Sequence, residues 1–329
     1  MKKIGILYGR GREFPEAFIR EVNRQGEGEI EASGVTLDKV IAGETPAYAV
    51  IVDGISAEVP FYREYLKTAA LSGTAVVNNP FLCAGDSFFS TSMAAKLGVP
   101  VPRAALLPSR DLPEGTTGAS FPNLAFPLDW DHIFRYVGFP AYLAPSGGGE
   151  ANEGWRIDDA QGFFDRHAVT GRRAMILRQE IDSEANYRVY WVGEEEMRVT
   201  GYDPRRPPQE RYRGELTPAP SLEALLRDHT RRLNLFLGYE VNAVDFTVSG
   251  GIPYAVGLYN PATEVTPGYA GEETFRWLVE QVAAYAVRRA LGQKEGADNL
   301  HWGEYLGRAV NRQHFARWTA PPEGERQFS

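Results

Sequence analysis

Asp245-Phe246-Thr247 and Leu258-Tyr259-Asn260-Pro261, two short stretches near the end of the chain, decide the fold. A Ser-Gly-Gly turn between them predicts a hairpin of two neighbouring strands. The acid Asp245 lies thirteen residues before position 258, and the amide Asn260 lies two residues after it. Hard divalent cations prefer several oxygen ligands, carboxylates above all. Position 258, where a further carboxylate would complete such a set, is leucine.

Bulk properties narrow the class of protein. The 329 residues are enough for two or three packed units, and the formal charge of −8 disfavours non-specific binding to nucleic acid. We expect no membrane span, because no apolar run approaches 18 residues. A single cysteine, Cys83, argues against an internal disulfide or a cysteine-rich zinc site. The start of the chain fits a buried strand better than a signal peptide, so the expected compartment is the cytoplasm.

Alternating strand and helix patterns over the first 80 residues predict a parallel sheet with right-handed crossovers. The predicted strands cover residues 3–8, 48–52 and 75–79, and the predicted helices cover 13–24 and 61–71.

The remainder of the chain is predicted to be α+β. After a helix at 86–97, a Pro- and Gly-rich loop or linker covers 108–130. Two hairpins flank a long amphipathic helix, and the predicted units are 1–104, 105–181, 182–292 and a C-terminal helix and tail at 293–329. Strands are predicted at 141–145, 155–157, 175–181, 187–192, 197–200, 244–248 and 254–256, and helices at 158–167, 221–237, 273–291 and 300–318.

This order of pieces resembles the ATP-grasp superfamily over roughly residues 3–290. The residues that carry the resemblance are Leu97–Pro102, Val137–Leu143 before a glycine loop, Arg178–Ile181, Tyr187–Tyr190, and Asp245 with Asn260-Pro261. The resemblance implies an N-terminal parallel α/β unit, a small lid at 105–181 and a C-terminal α+β unit at 182–292, with a nucleotide clamped between the last two. Better-known members are carboxylate–amine or carboxylate–thiol ligases that use ATP and Mg²⁺ and form an acyl phosphate.

The resemblance also implies roles for individual residues, each with a plainer alternative. The glycine loop would approach phosphates or form a hairpin turn. The segment after residue 178 would meet adenine and ribose or form a solvated strand end. Arg188 would bind the transferred phosphoryl group or form a salt bridge. The implied set is Gly147, Gly148 and Gly149 for phosphate, Gln179, Glu180 and Ile181 for adenine, Asp182 or Glu184 for ribose, and Asp245 and Asn260 for the metal.

Three positions depart from the superfamily pattern. Two phosphate-binding lysines are replaced by Ser87 and Ala144, and the metal carboxylate is replaced by Leu258. A triphosphate brings several negative charges into a partly dehydrated cleft, and removing one partner of a desolvated charge pair costs about 3–5 kcal/mol. Because phosphoryl transfer depends on positioning and electrostatics, these losses predict a weak or inactive enzyme.

Three functions remain open at this point. The chain is predicted to be a degenerate ATP-grasp protein that partners an active paralogue or binds a small molecule in the cleft. The alternative is an active ATP- and Mg-dependent carboxylate–amine or carboxylate–thiol ligase with rearranged ligands. A scaffold that docks through the apolar face of residues 300–318 is the third. The rearranged ligands would come from Asp245, Asn260, Glu264, Arg188, Arg205 and Arg206.

Overall fold

The computed structural model describes residues 1–82, 87–147, 154–193, 195–207, 210–212, 216–260, 265–294 and 299–300. These residues form three four-stranded sheets with helices packed on them. Several predictions concern residues outside the described part of the chain, namely Cys83, Glu264 and the loop glycines Gly148 and Gly149. The predicted helix at 300–318 lies almost wholly outside it. Within the described part, no helix combines the length and apolar character needed to cross a bilayer.

The first sheet is parallel, as predicted, and has the strand order β2-β1-β3-β4. One strand, β2, was not predicted, because only two of its five residues are buried and it ends at a glycine. Its elements are β1 (Lys2–Leu7), α1 (Glu13–Gln25), β2 (Ile30–Gly34), β3 (Val50–Asp53), α2 (Pro60–Leu71) and β4 (Ala75–Val77).

The second sheet is antiparallel in the order β5-β8-β6-β7, and it follows the helix α3 (Ser87–Lys96). One face packs on a core that includes Leu143, Leu177 and Phe163. Helix α4, which lies between the Pro- and Gly-rich loop and the next strand, was not predicted from the sequence. The elements are β5 (Ala104–Leu107), α4 (Trp130–Val137), β6 (Ala141–Pro145), β7 (Trp155–Ile157), α5 (Ala160–His167) and β8 (Met175–Gln179).

The third sheet is antiparallel in the order β10-β9-β11-β12, and it contains both predicted hairpins. The long helix α6 ends at Gly238, whose left-handed φ of 71° suits glycine. The elements are β9 (Ala185–Val192), β10 (Glu196–Gly201), α6 (Pro220–Leu237), β11 (Val241–Ser249), β12 (Ile252–Gly257), α7 (Pro267–Ala270) and α8 (Glu272–Gly292).

Helix α8 joins the first and third sheets. Leu278 and Val282 of α8 are fully buried in one apolar cluster with Phe18 of α1 and with Val192 and Val241 of the third sheet. This shared core fixes the third sheet, and the side chains it carries, against the first.

A buried asparagine reinforces the same junction on its polar side. Asn78 follows β4 with a positive φ of 71°, a conformation that asparagine tolerates better than most residues. Its Oδ1 accepts hydrogen bonds from the backbone N–H groups of Glu240 (2.9 Å) and Val241 (2.8 Å). The backbone N–H of Asn78 in turn donates to Glu240 Oε2 at 2.6 Å. The two sheets are therefore joined by directional bonds as well as by apolar packing.

A second asparagine network fixes the chain where it leaves β12. Asn242, fully buried on β11, donates through Nδ2 to Asn234 Oδ1 (2.7 Å) and to the carbonyl of Leu258 (2.9 Å). Its Oδ1 accepts from the backbone N–H of Asn260 at 2.9 Å, and the side-chain amide of Asn260 donates to the carbonyl of Ala243 at 2.9 Å. The positions of residues 258 and 260 are thus set by β11.

We predict that Asn242→Ala lowers the free energy of unfolding by about 2–4 kcal/mol, because it leaves Asn234 and two backbone groups without their partners. Urea unfolding monitored by circular dichroism measures the loss. Asn123→Ala, at an exposed position, is the matched control and should change stability by less than about 0.5 kcal/mol. Equal stability of the two variants would contradict the network's role.

Candidate ligand-binding cleft

The two charged residues singled out on the third sheet, Arg188 and Asp245, form a bidentate ion pair. They lie directly opposite each other on β9 and β11, so their side chains share one face. Arg188 Nε donates to Asp245 Oδ1 at 2.6 Å, and Arg188 Nη2 donates to Asp245 Oδ2 at 2.7 Å. Both side chains are largely enclosed, with 17% and 14% of their surfaces exposed. Each carboxylate oxygen therefore already has a cationic donor.

Three tyrosines hold the guanidinium of Arg188 in this position. Arg188 Nη1 donates to the hydroxyl of Tyr212 at 2.8 Å, and Tyr190 donates its hydroxyl to Tyr212 at 3.0 Å. The ring of Tyr202 lies against the guanidinium, 4.4 Å from Cζ to the ring centroid. Burial opposes the charge of Arg188, but Asp245 more than offsets burial and raises the arginine's pKa. The arginine stays charged and has partners on three sides.

The metal ligands implied by the resemblance do not fit a divalent cation in this arrangement. Both oxygens of Asp245 accept from Arg188, and Leu258 packs against the apolar cluster around Val244 and Phe246. Asn260 keeps its amide on the backbone of β11. Magnesium requires several oxygen ligands in near-octahedral geometry. Among the described residues, no group of three or more His, Cys, Asp or Glu side chains could hold a metal ion.

The positions that would carry phosphate-binding lysines provide no charge. Ser87 begins α3, and its carbonyl accepts from the hydroxyl of Thr91 at 2.9 Å. Ala144 lies on β6 on the same face as Tyr142, opposite Ile176 of β8. Gly147 lies in the turn that follows β6, and the next two glycines are outside the described residues.

Arg178, on β8, is a cation for which the sequence alone indicated no role. Along this strand Met175 and Leu177 are buried in the core, so Arg178 and Ile176 occupy the other face, which Ala144 shares. Ile176 pairs directly with Ala144, and Arg178 lies two residues further along β8. Arg178 is therefore the diagonal neighbour of Ala144, at about 7–8 Å, a distance that an arginine side chain can span. A charged residue within an apolar, alternating strand was the signal that could have identified it.

The charge of Arg178 is poorly compensated. Its Nη1 donates to the carbonyl of Val256 on β12 at 3.0 Å, which ties the second sheet to the third. Burial lowers the pKa of Arg178, with Tyr142 acting weakly in the opposite direction. None of the carboxylates that the structure describes lies within ion-pair distance of it. An enclosed cation that no described carboxylate neutralises is costly, so an anion bound beside Arg178 would be stabilising.

The segment at residues 179–184, which was predicted to bind adenine and ribose, forms hydrogen bonds with other residues of the chain. Glu180 accepts from Tyr142 Oη at 3.3 Å and from Arg156 Nε at 2.9 Å. Gln179 Oε1 accepts from Arg103 Nε at 3.1 Å, and Glu184 Oε1 accepts from the backbone N–H of Gly250 at 2.8 Å. β8 ends at Gln179, so Glu180, Ile181 and Asp182 lie in the link between the second and third sheets, between strands rather than within one.

The arginines of the loop after β10 do not reach the cleft pair. Arg205 Nε lies 3.1 Å from Asp203 Oδ1, and Arg206 Nε lies 3.4 Å from Asp203 Oδ2, in an exposed local cluster. Their charges are used within the loop, where exposed ion pairs contribute little to stability.

Comparison with known proteins gives structural matches alone. No family model matches the chain, and no curated protein matches it in sequence. A RimK domain ATP-grasp protein from Sphaerobacter thermophilus has a TM-score of 0.62 and 16% identity, covering 87% of this chain and 99% of that one. A D-alanine–D-alanine ligase from Bacillus anthracis has a TM-score of 0.60 and 14% identity, covering 89% and 100%. The same ligase complexed with ATP has a TM-score of 0.59 and 13% identity, covering 89% and 100%.

These matches span all three sheets and nearly the full length of each solved structure. At 16% identity or below, they establish the architecture rather than the chemistry. The parallel first sheet and the antiparallel second and third sheets agree with that architecture. The chain has the ATP-grasp fold.

Proposed function

We propose that this protein binds a small anionic molecule in its ATP-grasp cleft without a divalent metal, and that it does not transfer phosphoryl groups. The observation that carries the proposal is the bidentate ion pair of Arg188 and Asp245. Asp245, which would bind Mg²⁺ in a metal-dependent ligase, instead accepts two hydrogen bonds from the guanidinium of Arg188.

The energetics of the pair favour this reading over a vacant metal site. A divalent ion at Asp245 would have to displace Arg188 from both carboxylate oxygens. The displaced guanidinium would remain largely enclosed, beside a second cation and without its counter-ion. Separating a buried pair in this way costs about 3–5 kcal/mol. Leu258 offers no oxygen ligand in return.

The charge of the cleft indicates the ligand. Arg188 is neutralised by Asp245, so Arg178 is the cation left to meet a ligand among the cleft residues that the structure describes. A planar guanidinium binds phosphate or carboxylate through two parallel hydrogen bonds. One such cation suits a molecule with a single phosphate or carboxylate group better than a triphosphate.

The competing reading is an active ATP-dependent ligase with rearranged ligands. Arg178 favours it in one respect, because it lies where it could replace the charge absent at Ala144. An active ligase would still require a metal ion at Asp245. Its ligand binding should therefore depend on Mg²⁺, whereas that of the proposed binding protein should not.

We predict that ATP binds no more tightly than about millimolar, and that Mg²⁺ leaves the affinity within about twofold of its value in a chelator. The reason is that the carboxylate which would bind the metal is already paired. Isothermal titration of the full chain with ATP, in MgCl₂ and in EDTA, measures both quantities. Micromolar binding that requires Mg²⁺, or release of ADP, would establish the ligase instead.

We predict that Arg178→Met raises the melting temperature in buffer without phosphate or carboxylate, by an amount equivalent to about 1 kcal/mol or more. The variant removes a poorly compensated buried charge and replaces it with an apolar side chain of similar length. The same variant should lose the stabilisation that phosphate gives the wild type by mass action. Differential scanning fluorimetry with and without phosphate, at matched ionic strength, gives both values.

The matched control is Arg166→Met, which changes the same charge at an exposed position on α5. It should leave the melting temperature and the phosphate response close to those of the wild type. If Arg178→Met is less stable than the wild type in anion-free buffer, the arginine is a structural residue and the cleft proposal is wrong.

A further inference from the structure

A second basic site lies away from the cleft, at the C-terminal end of α8. A cavity of about 410 Å³ opens there and is lined by Gly292 and by the side chains of Tyr285, Arg288, Arg289, Gln293, Lys294 and Asn299. Three of these seven residues are cationic, on a chain whose formal charge is −8. Glu240, the residue before β11, borders the site, and Asp245 lies five residues further along. At about 3.3 Å per residue the two are roughly 16 Å apart.

Arg289 has donors with no acceptor. Its Nε and Nη2 are buried and make no hydrogen bond to any described residue. Among the described carboxylates, Glu240 Oε1 lies within ion-pair distance, 3.8 Å from Nη2, which is too long for a hydrogen bond. Buried polar groups in folded proteins are nearly always paired, and an orphaned group indicates a missing water, ion or ligand.

Glu240, the acid beside Arg289, also accepts hydrogen bonds from two neutral groups. Its Oε2 accepts from the backbone N–H of Asn78 at 2.6 Å, and its Oε1 accepts from the hydroxyl of Tyr285 at 3.2 Å. Arg288 lies against the ring of the same tyrosine, with Cζ 6.0 Å from the centroid. Among the described residues, Glu240 is the one carboxylate within ion-pair distance of any of the three cations Arg288, Arg289 and Lys294.

The last carbonyls of α8 do not depend on these cations for donors. Basic residues near a helix C-terminus often serve to satisfy the last carbonyls. Here Lys2 does so: its Nζ donates to the carbonyls of Ala290 at 2.7 Å, Leu291 at 3.2 Å and Gln293 at 2.8 Å. Arg288, Arg289 and Lys294 make none of these bonds and line the cavity.

Hydrogen bonds join the rim of the cavity to the end of α2 and the loop that follows it. Asn299 Nδ2 donates to the carbonyl of Gly73 at 2.6 Å, and the Gln293 side-chain amide donates to the same carbonyl. The backbone N–H of Asn299 donates to the carbonyl of Ala70, at the end of α2. The backbone at residues 293 and 299, on either side of the cavity rim, is therefore anchored to the end of α2 and the loop that follows it.

We propose that this cavity binds the phosphate group of a small molecule, with Arg289 and Arg288 as forked donors and Lys294 as a point charge. Phosphate carries the several acceptor oxygens that two guanidinium groups and an ammonium can share. The site is separate from the cleft and does not depend on the function proposed for it.

Hydrogen exchange read by mass spectrometry tests the proposal on the full chain, because it reports each segment separately. Pyrophosphate is the probe, added at an ionic strength matched with NaCl. We expect slower exchange in residues 286–294 of the wild type and a fall of about tenfold or more in pyrophosphate affinity for the double variant R288Q/K294Q. Arg276→Gln, an exposed arginine on the same helix, should keep the wild-type response.

Two further variants separate the alternatives. Arg289→Lys keeps the charge beside Glu240 but loses the fork, so it should fold normally and bind pyrophosphate more weakly. Arg178→Met should abolish protection in the cleft and leave protection of residues 286–294 intact. Unchanged exchange in that segment of the wild type, or equal protection in R288Q/K294Q, would overturn the proposal.

Discussion

The charge of Asp245 is the constraint on which the cleft depends. A carboxylate on a buried strand must be neutralised, and the neighbouring strand supplies Arg188 directly opposite it. The pair is bidentate, enclosed and backed by Tyr212 and Tyr202, so its geometry leaves little room for another cation. The ATP-grasp fold of this chain therefore carries an intramolecular counter-ion for Asp245 within one sheet.

The position of the pair has consequences for the second sheet. Arg178 reaches across from β8 to the carbonyl of Val256 on β12, beside Gly257, which pairs with Asp245. Among the described residues, Arg188 is paired with a carboxylate, whereas Arg178 donates to a single carbonyl. An anionic ligand would supply the acceptors that Arg178 lacks among these residues.

Much of the fold could be predicted from the sequence. The parallel first sheet, both hairpins and the helices α6 and α8 follow from apolar periodicity and from glycine stops such as Gly238. The strand β2 and helix α4 could not be found in this way. β2 buries only Ile30 and Ala32, and α4 is eight residues long and follows a Pro- and Gly-rich loop. Short elements of this kind are stabilised by the sheets they join rather than by their own pattern.

The cleft was less predictable than the fold. The sequence shows Arg188 and Asp245 fifty-seven positions apart, and only the register of β9 with β11 reveals that they are partners. Arg178 belongs to the motif Arg178–Ile181, but only the structure reveals that no described carboxylate lies within ion-pair distance of it. The same holds for Arg289, whose buried donors become visible only when Glu240, Tyr285 and Asn78 are placed around it.

A double-mutant cycle on Arg188 and Asp245 tests the central claim most directly. The variants R188M, D245N and R188M/D245N would be compared with the wild type by urea unfolding, in EDTA so that no metal contributes. If the arginine is the permanent counter-ion of the aspartate, the coupling free energy should exceed about 2 kcal/mol, as for an enclosed bidentate pair. A coupling below about 0.5 kcal/mol, the range of exposed pairs, would contradict the account and leave Asp245 available to a metal.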